Sequence, residues 1–162
     1  MKSRPRKGLL LACAAMLVAG PARSAGLGEA QVRAFVARQE RSWNDGALEA
    51  WSAGFRPDAT FTDQYRTPAG EIVPYGTSTL SQARTQSRKH RAAAQVSETG
   101  RIVRIALGPD GRSAEVVSRV VSRTRTAKGV RIACAERRQD LVLAEGDLRS
   151  KGQTDTFSRC PR

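Results

Sequence analysis

Aromatic residues make up only 5% of this 162-residue sequence, and it has a single histidine, His90. The few aromatics are not interleaved with the basic residues, so the stacking platform of a single-stranded nucleic-acid binder is not there. One histidine and three scattered cysteines form no set with metal-ligand spacing. No C-x-x-C is present for a dithiol redox site. Acids are scarce, 15 against 28 Lys and Arg, which gives a formal charge of +13. Long apolar runs are missing except near the N-terminus, and that run is well short of the roughly 20 residues a membrane span needs. These absences point away from a metal, a cofactor, specific nucleic-acid binding and a membrane span.

What is present begins with the N-terminus. "MKSRPRKG" is a cationic leader, "LLLACAAMLVAG" an apolar stretch, and "PARSAG" carries Ala22 and Ser24 at the spacing signal peptidase accepts. The expectation is a signal peptide over residues 1–24, cut after Ser24 or Ala25, and a single mature domain over 25–162. Export would place it in the periplasm or outside the cell. Removal of Lys2, Arg4, Arg6, Lys7 and Arg23 lowers the charge by five, to about +8, and leaves enough chain for one core. Cys13 leaves as well, so Cys134 and Cys160 remain, a pair that an oxidising compartment favours bridging.

From Gly28 to Phe55 apolar residues recur every three or four positions: Val32, Phe35, Val36, Trp43, Ala47, Trp51 and Phe55. "NDG" at 44–46 interrupts them, which predicts a long helix and a short one. Gln39 falls on the apolar stripe, and an inward amide needs a partner or a cavity. "DATFTD" reads as a short strand, "YRTPAGEIVPYG" as a turn-rich hairpin or loop, and "GTSTLSQARTQSRKHR" as a third helix capped by Thr77 or Ser78. The period then changes to two. "GPDG" and "EGD" each join two strands into a four-stranded antiparallel meander. With the second turn near Glu145 to Asp147, Cys134 lies opposite residue 157 or 158, close enough to Cys160 to bridge. The fold class expected is α+β, three N-terminal helices packed on a curved, mainly antiparallel sheet. Arg119, Arg123, Arg131 and Arg137 alternate as on the wet face of such a sheet.

"ERSWNDGALEAWSAGFRPDATFTDQ" followed by "VPYGTSTLSQAR" resembles the nuclear-transport-factor-2-like superfamily, in particular its ketosteroid-isomerase and polyketide-cyclase-like branches. The resemblance covers most of residues 29–158 and implies a cone-shaped domain around one pocket. It places Asp63 at the general base of the isomerases, where partial desolvation raises a carboxylate's basicity. It sets Gln39 and Arg84 at the positions of two isomerase tyrosines, and Gln139, or Asp140 if the register shifts, at that of a protonated acid. Tyr65 and Tyr75 fall near the implied pocket mouth. The tyrosine oxyanion donors are absent, which points away from steroid isomerisation.

Two readings of Asp63 follow. It is a strand-end acid paired with Arg66 or Arg84, or it lines a pocket for a small, partly apolar ligand. The corresponding functions are a cofactor-free isomerase or lyase moving protons, and a non-catalytic module that forms a homodimer through its sheet.

Overall fold

The computed structural model describes residues 26–161; the expected signal peptide lies outside the described residues. The chain runs α1 (Glu29–Asn44), α2 (Leu48–Ala53), β1 (Phe55–Arg66), β2 (Ile72–Thr79), α3 (Leu80–Ala93), β3 (Gln95–Leu107), β4 (Ser113–Thr126), β5 (Gly129–Ala144) and β6 (Asp147–Ser158).

The two N-terminal helices have the expected break, with Asp45 closing α1 and Gly46 at positive φ. Phe55 continues the helical spacing of Trp51 but opens β1 instead, because α2 ends at Gly54. The helix α3 is capped by Thr79, one residue beyond the expected pair. The reason is Gln82. The Thr79 hydroxyl accepts from the Gln82 N–H at 3.3 Å, and the Gln82 side chain accepts from the Thr79 N–H at 2.9 Å. Such a reciprocal box requires the two residues to lie three apart.

One six-stranded sheet has the order β2-β1-β6-β5-β4-β3. The meander from β3 to β6 is antiparallel throughout, whereas β1 and β6 pair in parallel. The expected architecture is therefore corrected on two points. Only α1 and α2 are N-terminal, since α3 follows the β1–β2 hairpin. The sheet is open and mixed, neither closed nor strongly curved into a cone. The physical cause is the last strand: β6 enters between β5 and β1 and joins the meander to the hairpin, leaving β2 and β3 as free edges.

Two apolar clusters hold the helices to one face. Leu27, Val32 and Phe35 pack on Ala114, Val116 and Leu141. Trp51, Phe55, Ala59 and Ala83 form the second, with Trp43, Phe61 and Leu80 against it. The edge of β3 is met by side chains of α1. Asn44 accepts from the Glu98 N–H at 2.7 Å and donates to the Glu98 carbonyl at 2.8 Å, and Glu40 accepts from the Gly100 N–H at 3.1 Å. Strand donors that would invite another chain are thus partly occupied.

Cys134 lies opposite Ser158 in the β5–β6 register and is bridged to Cys160, with Cα atoms 5.1 Å apart. The bond ties the C-terminal tail to the sheet. Among the described residues no helix is long and apolar enough to cross a membrane.

Candidate functional site

Alternation along β1 decides where Asp63 points. Ala59 and Phe61 belong to the second cluster, so Asp63 and Tyr65 share their helix-covered face. The same rule along β5 turns Arg137 and Gln139 inward with Ala135 and Leu141. Adjacent strands then bring Asp63 beside Asp155, Asp155 beside Arg137 and Arg137 beside Ser118.

The centre of this row is a dense ion-pair network. Arg137 Nε and Nη2 each donate to Asp155 at 2.8 Å. Its Nη1 and Nη2 donate to Glu98 at 2.9 and 3.4 Å. Gln153 Nε2 donates to Asp155 at 3.0 Å. Desolvation disfavours the guanidinium, but the Asp155 and Glu98 charges outweigh it and hold the Arg137 pKa above its ordinary value. Arg137 thus departs from the expected wet face. Its place was legible from Ala135 and Leu141, two apolar residues with the same parity, but the run of arginines obscured it.

Asp63 stands outside this network. Among the described residues its side chain makes no hydrogen bond or ion pair. Its pKa is raised by desolvation first and by the Asp155 charge second, while Arg137 works the other way. The expected partner Arg84 is elsewhere: it bonds Glu49 on α2, alongside Arg88 at 3.3 Å. Arg84 therefore closes the α2–α3 contact and does not face Asp63. Tyr65 and Tyr75 are exposed beside it, their rings 6.1 Å apart, with Phe157 6.3 Å from Tyr75. The Tyr75 phenol is pushed up by desolvation and then by the Asp63 and Asp155 charges.

Gln39 and Gln139 meet across a small cavity. Val36, Gln39, Glu40, Trp51, Glu98, Gly100, Ser118, Val120, Arg137, Gln139 and Gln153 enclose about 30 Å³ of water-accessible space. Gln139 and Ser118 are buried polar residues, 5% and 4% exposed. Gln39 Oε1 is buried without a hydrogen-bond partner among the described residues. Its amide lies over Gly54, where a Cβ would collide with it. Asp140, the alternative to Gln139, points to the other face and lies 3.6 Å from Arg138. Of the residues named from sequence as candidates, Asp63, Gln39 and Gln139 lie on this face; Glu98, Gln153 and Asp155 lie there too and were not named, and Arg137 was named only for the opposite face.

No protein-family model and no curated protein matches the sequence. Solved structures do match it. A ketosteroid isomerase-like protein from Erwinia carotovora atroseptica superposes with a TM-score of 0.62 at 11% identity, covering 81% of this chain and 96% of that one. The β subunit of a proposed aromatic-ring-hydroxylating dioxygenase from Novosphingobium aromaticivorans gives 0.64 at 20% identity, over 82% and 90%. The protein Aln2 from a Streptomyces species gives 0.58 at 19% identity, over 80% and 89%. At such identities the likeness establishes architecture and leaves the chemistry to this chain's own residues. The chain therefore shares its α+β fold with these structures, the ketosteroid isomerase-like protein among them.

Proposed function

We propose that the helix-covered face binds a small, partly apolar molecule, and that Asp63 is the proton acceptor for it. The observation that carries this reading is the contrast between two neighbouring acids. Asp155 is committed to Arg137 and Gln153, whereas Asp63 has no partner among the described residues and has its proton affinity raised. A carboxylate raised in this way is a stronger base, which suits proton abstraction without a cofactor. Tyr65, Tyr75 and Phe157 give the apolar surface beside it. The reaction class is isomerase- or lyase-type proton transfer. The N-terminal pattern supports export of the mature domain, residues 25–162, to the periplasm or beyond.

A second reading, a non-catalytic module that dimerises through its sheet, has its own observation. Val121, Val130 and Ile132 are exposed on the face away from the helices, an apolar surface of the kind interfaces use.

Native mass spectrometry of mature protein purified from the host envelope separates the two. A retained small molecule, lost on Asp63→Asn, supports the first. An empty dimer that Asp63→Asn leaves unchanged supports the second and refutes the first.

A further inference from the structure

We propose that the sheet face away from the helices docks on an anionic phospholipid surface through Arg101, Arg119, Arg123 and Arg125. This face lies across the sheet from Asp63, so the assignment stands apart from the ligand reading.

Strand alternation builds the patch. In β4, Val116, Ser118 and Val120 are buried toward the helices, which turns Arg119, Val121, Arg123 and Arg125 outward. The register sets Arg101 beside Arg119 and Thr99 beside Val121 on β3. On β5 it sets Glu136 beside Arg119, Cys134 beside Val121, Ile132 beside Arg123 and Val130 beside Arg125. Four exposed arginines thus share this end of the face with one acid. The bridge from Cys134 to Cys160 holds the C-terminal tail, with Arg159, at the same end.

Pairing separates these arginines from the others. Arg33, Arg84, Arg88 and Arg137 each reach a carboxylate. At the opposite end of the same face Arg104 and Arg138 share Glu115, and Arg138 also meets Asp140 at 3.6 Å. Among the described residues Arg101, Arg119, Arg123 and Arg125 form no ion pair, not even Arg119 with Glu136 across the ladder. Arg101 and Arg119 stand directly opposite each other, and like charges so placed destabilise a sheet. An anionic surface that meets both removes that cost.

Composition selects the surface. A second copy is a poor occupant, because a two-fold pairing lays the patch on itself and leaves Glu136 to answer both sets of arginines. The patch contains no aromatic residue, so bases have nothing to stack on. A protein interface gathers its apolar groups in a centre with a polar rim. Here Val130 and Ile132, 54% and 49% exposed, instead sit next to Arg125 and Arg123. That interleaving suits a bilayer surface, where guanidiniums take phosphates in pairs of hydrogen bonds and aliphatic side chains enter the acyl boundary.

Co-sedimentation of the mature, disulfide-bonded chain with vesicles tests the assignment. Binding is expected to phosphatidylcholine vesicles that contain phosphatidylglycerol, not to phosphatidylcholine alone, and to fall as salt is raised. Arg119→Gln with Arg123→Gln is expected to weaken it about fivefold per arginine, with a thermal midpoint at or above the parent's because the opposed charges are relieved. Val130→Ser with Ile132→Ser is expected to weaken binding while leaving its salt dependence unchanged. Arg41→Gln with Lys89→Gln removes two charges from the helix side and is expected to leave binding within about twofold. An equal loss in that pair overturns the location, since net charge alone would then attract the protein. Equal binding to phosphatidylcholine alone overturns the headgroup assignment. Absence of vesicle binding overturns the proposal outright, and a dimer that Val130→Ser with Ile132→Ser dissociates in analytical ultracentrifugation then gives the face to a second copy.

Discussion

Asp63 and Arg137 show how differently two charges on one sheet face behave. Arg137 is held by two acids whose side chains are 9% and 12% exposed. Removing it leaves both carboxylates without their cation in a poorly hydrated place. Arg137→Met is accordingly expected to cost about 3–5 kcal/mol, read as a loss of chemical-denaturation stability. Asp63 works in the other direction. Its folded pKa is raised above the ordinary 3.8, so the folded state binds the proton more tightly than the unfolded one, and stability is lost as pH climbs from 3.8 through the folded value. Asp63→Asn is therefore expected to melt higher than the parent at pH 7, with the gap closing below about pH 4. An unchanged gap across that range would show that the Asp63 charge is not the cause. An acid that weakens the fold where it stands is what a functional site tolerates.

Among the elements, the junction of α2 and β1 controls the cavity. Gly54 has ordinary negative φ, so alanine fits its backbone. The added Cβ meets only the end of the Gln39 side chain, which can swing aside. Gly54→Ala is expected to fold, with a stability change within about 1 kcal/mol, while displacing the Gln39 amide. A larger loss of stability in chemical denaturation would mean that the Gln39 side chain does not move aside. This junction also marks the limit of sequence reading. The alternation that defined the meander survived intact, because each strand has one buried face and one wet face to enforce it. The boundary at Phe55 did not, since its spacing from Trp51 suits a helix and only Gly54 ends it. Three of the inner-face residues were legible from parity or resemblance. Glu98 and Asp155 were not, because their roles arise from pairing with Arg137 on a neighbouring strand, and one sequence does not say which strands will be neighbours. The insertion of β6 between β1 and β5 is a non-local choice of that kind, and so is the loss of the expected cone.

For the molecule as a whole, the disulfide and the proposed export belong together. The Cys134–Cys160 bridge spans 26 residues of chain, a closure worth about 3 kcal/mol in the chain-entropy picture. Cys160→Ser is expected to lower stability by that order, with no further loss on adding reductant. An equal response to reductant in parent and variant would show that the bridge does not form.

The most direct test of the central claim is the ionisation of Asp63 itself. Carboxyl carbon shifts followed by NMR across the acid range give its pKa in the folded protein. The expected result is a value above 3.8 that falls in Asp155→Asn, where the neighbouring charge is gone and Arg137 is freed. A value at or below 3.8, unmoved by that substitution, would contradict the account and return Asp63 to the status of an ordinary strand-end acid.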